Sequence, residues 1–203
     1  MIRVRIISGI VAALMLSAHA GAAEPEDRGG KPLQYWSVSI YGATSSTKYF
    51  GAVLQDFNLQ SREVLAGVAL DRKLARLFRD FYLSGELQAN QIVIGHPNTT
   101  FALMLGFEAD KLFGFERTSF SFHAGPSYAL DPPYTSIGYK HRIYPSWRKK
   151  FLNAIAIEFA SGLPFAENWD WTARLYHRSG VFGLYSEGDD DGLALGLGLR
   201  YHF

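Results

Sequence analysis

The chain has 203 residues, with 20 lysines and arginines against 19 aspartates and glutamates, a formal charge of +1 and no cysteine. No disulfide staples such a fold. Beyond the amino-terminal segment no stretch is long and apolar enough for a membrane helix, because the most apolar one, Phe151 to Ala160, is short and interrupted by Asn153 and Glu158. Lipid offers no partners to open backbone, so a membrane role leaves only a closed barrel.

Arg3 and Arg5 precede an apolar run from Ile6 to Leu16, followed by Ala18, Ala20, Ala22 and Ala23 before Glu24. These are the three parts of a secretory signal peptide, expected over 1–23 with cleavage after Ala20 or Ala23. Removing Arg3 and Arg5 turns 20 basic against 19 acidic residues into 18 against 19, a mature charge of −1. Residues 24–33, with Pro25, Gly29, Gly30 and Pro32, read as a flexible leader. There is no internal repeat and no second domain, so 34–203 is expected to be one outer-membrane barrel and its loops.

Period-two alternation predicts eight strands, at 35–43, 63–71, 80–92, 100–108, 118–128, 150–161, 168–180 and 192–203. The expected fold class is all-β, an eight-stranded antiparallel transmembrane β-barrel, the smallest closed class. The last strand carries Leu193, Leu195, Leu197, Leu199, Tyr201 and Phe203 on one face and Ala194, Gly196, Gly198, Arg200 and His202 on the other, and its aromatic end resembles the assembly signal of bacterial outer-membrane proteins. In the sixth, Phe151, Ile155, Ile157 and Phe159 face outward and Ala154, Ala156 and Glu158 inward. Glu86, Glu108, Glu158, Arg174 and Arg200 then line a lumen closed by ion pairs rather than a pore. With both ends periplasmic, the connections 44–62, 93–99, 129–149 and 181–191 face outward, and Asp71–Arg79, Ala109–Arg117 and Gly162–Glu167 are periplasmic. Lys140, His141, Arg142, Arg148, Lys149 and Lys150 form a basic cluster suited to lipopolysaccharide headgroups or, equally, a solvated loop.

The seventh strand puts Trp169, Trp171, Ala173, Leu175, His177 and Ser179 on one face and Asp170, Thr172, Arg174, Tyr176 and Arg178 on the other. His177 and Ser179, roughly 7 Å apart at Cα by the strand rise, are thus expected on the lipid side at the outward end. Polar side chains against hydrocarbon are costly, which marks them as functional candidates, the alternative being interfacial residues just beyond the lipid.

His177-Arg178-Ser179 on the penultimate strand of a short exported barrel resembles the His-X-Ser motif of the lipid A 3-O-deacylases, the acyloxyacyl hydrolase-like barrels. The resemblance runs from about Trp169 to Phe203. It implies an eight-stranded outer-membrane esterase in which Ser179 is the nucleophile, His177 the general base and an acid orients the histidine. The family's glutamate lies about twelve positions after the serine. Counting forward reaches Asp191, which shares the parity of Leu193, with Glu187 second; aligning from the carboxy terminus reaches Leu193 or Ala194 and leaves the triad incomplete. The family also uses a backbone N–H near a glycine, here Gly180 or Gly183, and a downstream asparagine, although none follows Asn168.

Three functions are therefore expected in turn. The first is a lipid A esterase using His177, Ser179 and an acid, without metal or organic cofactor. The second is a catalytically silent barrel with a structural or lipopolysaccharide-binding role, in which Glu187, Asp189, Asp190 and Asp191 are a solvated or cation-binding run. The third is a small-solute channel, disfavoured by the narrow lumen. Expected partners are lipid A or lipopolysaccharide and the outer membrane, with no nucleic acid; oligomeric state is left open.

Overall fold

A computed structural model describes residues 36–46, 61–95, 97–131, 150–180 and 190–203. The expected signal peptide and leader, most of the basic cluster, Gly183, Glu187 and Asp189 lie outside the described residues.

Alternating side chains cover both faces of each strand. β1 (Trp36–Ser46), β2 (Ser61–Phe78), β3 (Phe81–Ile94), β4 (Thr99–Asp110), β5 (Thr118–Ala129), β6 (Phe151–Gly162), β7 (Trp169–Ser179) and β8 (Asp190–His202) each pair antiparallel with their chain neighbours. β8 returns to β1 and closes the barrel, so no edge is left open. The expected all-β, eight-stranded antiparallel barrel is the observed one.

The outer coat is apolar. Leu103, Leu105 and Leu197 are 58, 60 and 69% exposed, and Ile40, Leu87, Leu195 and Leu199 stand on the same side of the wall. Near the short-turn end the rings of Phe78, Phe81, Phe107 and Phe122 follow one another with centroids 4.9, 5.2 and 5.5 Å apart, and Trp169, Tyr201 and Phe203 continue the girdle. An apolar coat above an aromatic girdle, around a charged interior, is the architecture of a bacterial outer-membrane barrel. Connections 79–80, 111–117 and 163–168 at this end are short, whereas three of the four opposite ones, 47–60, 130–150 and 180–189, are longer, which makes this end the periplasmic one.

Two expectations are corrected. Asp71–Arg79 is not a connection: β2 continues to Phe78 and turns at Arg79 and Asp80, with Arg79 at a φ of 39°. The charges of Arg72, Lys73 and Arg76 hide this strand from a search for alternation, yet each finds a use, Arg72 over the Trp36 ring at 4.8 Å and Lys73 against Asp110 at 2.6 Å. Leu193, expected open to lipid with the other leucines of β8, keeps their parity opposite His177 but is only 1% exposed and borders the cavity at the outward end.

The lumen is filled by one connected network. Arg174 Nη1 donates to Glu158 Oε2 at 3.0 Å, and its Nη2 donates to Glu86 and, at 2.9 Å, to Gln88 Oε1. Arg200 donates to Glu108 Oε1 at 3.0 Å, to Ser119 Oγ at 3.2 Å, and to the second oxygen of Glu158. Glu158 thus bridges both arginines. Above them the Tyr41 ring lies under Arg174 at 5.0 Å, and its hydroxyl donates to Asn90 and accepts from Gln88 Nε2 at 2.6 Å. Gly67 leaves room for that ring, since a Cβ there would run into Tyr41 and Asn90. The expected plug of Glu86, Glu108, Glu158, Arg174 and Arg200 is present.

Removing the bridging carboxylate would leave two buried guanidiniums short of a partner, so Glu158→Ala is expected to cost about 3–5 kcal/mol, read by denaturant unfolding of the barrel in micelles. On the outer wall at mid-height, Leu197→Arg is expected to cost about 2–4 kcal/mol in bilayers of matched thickness, because the new charge meets hydrocarbon.

Candidate functional site

The outward end of β7 is held from inside. Arg178, 2% exposed, donates from Nε to Ser127 Oγ at 2.9 Å and from Nη2 to the Lys150 carbonyl at 3.2 Å. Ser127 in turn donates to the Leu152 carbonyl at 2.9 Å. The middle residue of His177-Arg178-Ser179 is therefore a tether into the lumen, and alternation turns its two neighbours to the other face of the wall.

Those neighbours have defined cross-strand partners. His177 stands between Ile155 of β6 and Leu193 of β8; Ser179 stands between Asn153 of β6 and Asp190 of β8. Residues directly opposite in an antiparallel ladder share a face. Asn153 and Ser179 are half-buried. His177 is 9% exposed, so it does not stand as open on the wall as parity alone predicts.

The pairing of β7 with β8 slips between His177 and Ser179. A step of two along β7, from His177 to Ser179, is matched there by a step of three along β8, from Leu193 to Asp190. An unbroken ladder would have set Asp191 opposite Ser179; the slip gives that position to Asp190. Gly192 and Asp191 occupy the bulge, a place where ladders often re-aim a side chain. Gly180, which follows the serine, is buried.

Asn153 is the residue that sequence reasoning missed. A search confined to positions after the serine passes over it, yet it sits on β6 directly across from Ser179. Its signal was present in the outward parity it shares with Phe151 and Ile155, an amide in an otherwise apolar row. Its Nδ2 donates to the Ala154 carbonyl at a long 3.3 Å.

On the other side of the wall, the outward mouth of the lumen holds a small cavity of about 50 Å³ lined by Leu65, Asn90, Ile92, Thr100, Tyr176 and Arg178, among others. The β7 backbone separates it from Ser179. Of the basic cluster only Lys150 is described, and its Nζ donates to the Leu130 carbonyl at 2.7 Å.

No family model and no curated protein matches this chain. Among solved structures it is similar to the Yersinia pestis outer membrane protein Ail in a phospholipid bilayer nanodisc, with a TM-score of 0.47 and 13% identity over 83% of this chain and 99% of that one. No activity passes from that likeness.

The slip can be read by cross-linking, since the chain has no cysteine of its own. Paired strand residues lie within disulfide reach. Ser179→Cys with Asp190→Cys is expected to oxidise to a disulfide readily, and Ser179→Cys with Asp191→Cys to remain largely reduced, scored by thiol labelling of the folded barrel.

Proposed function

We propose that this protein is a serine esterase of the outer leaflet that removes an acyl chain from lipid A. The observation that carries the reading is the row Asn153, Ser179, Asp190 across three adjoining strands, with His177 two residues before the serine on the same strand. The His-X-Ser resemblance suggests the chemistry, and the register of the row supports applying it here.

His177 accepts the Ser179 proton as the hydroxyl oxygen attacks the ester carbonyl, because a serine hydroxyl is a weak nucleophile until a base takes its proton. The carbonyl oxygen gains negative charge in the tetrahedral intermediate. Asn153 Nδ2 and the backbone N–H groups after the serine are the donors that meet it. The sugar oxygen leaves with the proton from His177, and water then releases the fatty acid from Ser179 by the same steps in reverse roles. The acid that orients His177 comes from the start of β8, Asp190 or Asp191, with Glu187 further along the same connection. The membrane contributes proximity: an ester of lipid A already lies at the height of the outward strand ends, so the substrate is met without leaving the leaflet.

The competing reading, a silent barrel with a structural or lipopolysaccharide-binding role, is favoured by the slight exposure of His177. Lipid A mass separates the two. Expressed at equal surface level in cells of several lipid A types, the wild type is expected to yield lipid A lighter by one acyl chain. Ser179→Ala and His177→Ala should each abolish that loss while keeping the heat-resistant folded band. Asn153→Ala should slow it by about a hundred- to a thousandfold if it is an oxyanion donor. Asp190→Asn and Asp191→Asn should differ from each other, the larger effect marking the acid, and the effect should stay below that of Ser179→Ala. Deacylation that persists in Ser179→Ala, or is absent from the wild type throughout, supports the silent barrel.

A further inference from the structure

Asp71 on β2 and Glu86 on β3 are direct partners across the ladder, and both side chains enter the lumen, 3% and 1% exposed. Like charges directly opposite one another destabilise a sheet. In a dry interior the cost is larger, and a charge must be compensated to be tolerated.

The surrounding cations do not suffice. Asp71, Glu86, Glu108 and Glu158 bring four carboxylates to the middle of the lumen, and Arg174 and Arg200 bring two guanidiniums. Lys73 is closest to Asp110, at 2.6 Å, with Glu108 at 3.8 Å. Two negative charges are left over in this layer among the described residues; Arg174 engages one oxygen of Glu86, and Glu86 Oε2 and Asp71 Oδ2 are left without a hydrogen-bond partner. A proton on His123 would compensate one.

His123 of β5 faces that pair, 1% exposed, with Nδ1 3.5 Å from Glu86 Oε2 and Nε2 3.9 Å from Asp71 Oδ1. One ligand atom from each of the three residues can be chosen so that all lie within 4.8 Å of one another. Asp71 Oδ2, Glu86 Oε2 and His123 Nδ1 are each buried without a hydrogen-bond partner. Ligands held about 2.1 Å from a tetrahedral ion sit about 3.4 Å apart, close to the separation of Nδ1 and Oε2.

His123 is also oriented as a ligand needs to be. Ser84, Gly106 and His123 stand in register across β3, β4 and β5, and Gly106 has no side chain to come between the other two. Ser84 Oγ lies 2.8 Å from His123 Nε2. With the proton on Nε2 and donated to Ser84, Nδ1 keeps its lone pair for a metal.

We propose that Asp71, Glu86 and His123 hold a divalent transition-metal ion, of which Zn²⁺ is the type, inside the barrel. One nitrogen and two carboxylate oxygens suit such an ion, and its two charges match the net excess of two negative charges in this layer. The ion fastens β2, β3 and β5 from within. It takes no part in ester cleavage, which belongs to the outer face of β7.

The test is to refold the full mature chain in micelles with Zn²⁺ or with EDTA, remove unbound metal by gel filtration, and measure bound metal and the temperature at which the heat-resistant band is lost. The wild type is expected to retain about one zinc per chain and to melt higher with zinc than with EDTA. Asp71→Asn and His123→Gln should lose the zinc and the shift. In EDTA, Asp71→Asn should melt above the wild type, because one of two opposed carboxylates has gone. Ser84→Ala keeps all three ligands and should weaken zinc binding about 10- to 100-fold, which provides a readout if the other variants fail to fold. A wild type that retains no zinc, or zinc kept at full stoichiometry by both ligand variants or with unchanged affinity by Ser84→Ala, overturns the proposal.

Discussion

Everything in this barrel depends on how its lumen balances charge. Eight strands enclose a space only wide enough for side chains, so whatever projects inward is desolvated by its neighbours. Glu158 is the pivot: its two oxygens are taken by Arg174 and Arg200, and those arginines reach Glu86 and Glu108 on the far wall. β3, β4, β6, β7 and β8 are thereby cross-braced through the middle. Breaking such a pair leaves a buried charge without compensation, so the network resists the loss of any one member even where its net contribution to stability is small. Ala154 and Ala156 on the same inner face are small and buried, and Gly196 leaves room for Ala43 and the Gly42 carbonyl of β1.

A filled lumen decides where chemistry can occur. Solute passage through the middle would have to break the ion pairs, which counts against the channel reading and points to the outer wall and the strand ends. On the wall, polar groups are costly unless something uses them. Asn153 and Ser179 face each other, next to His177, in a coat that is mostly apolar. Arg178 links the two halves of the molecule, because the same tether that fills the upper lumen fixes the backbone from which His177 and Ser179 project.

The architecture was legible because alternation is a direct projection of a two-sided wall onto sequence. Leu195, Leu197 and Leu199 against Gly196, Gly198 and Arg200 can be satisfied only by lipid on one side and a narrow polar space on the other. The lower half of β2 was not legible, because Arg72, Lys73 and Arg76 follow each other closely and the chain there reads as a polar turn. Beyond the hydrocarbon a strand no longer has to alternate, and ladder bonds to β3 continue without it. Asn153 was visible in parity but not in order along the chain, since adjacency across a ladder joins residues that sequence keeps apart.

The slip in β8 belongs to a third kind, invisible in principle to a parity argument. Parity assigns faces by counting, and one extra residue reverses the count for all that follows it. Leu193, still before the slip, keeps the parity of Leu195 and stands opposite His177, whereas past the slip Asp190 rather than Asp191 comes to stand opposite Ser179. Gly192, at the slip, has no side chain to set against the change of direction. A bulge here loosens the ladder between β7 and β8 where the candidate nucleophile lies, whereas the neighbouring ladder between β6 and β7 runs unbroken from Asn153 to Gly162. Ser179 and Asn153 are thus held on a continuous ladder, and the acidic end of β8 joins them across the bulge. That division suits an esterase, in which the nucleophile and oxyanion donors must be fixed and the orienting acid needs only to follow the histidine.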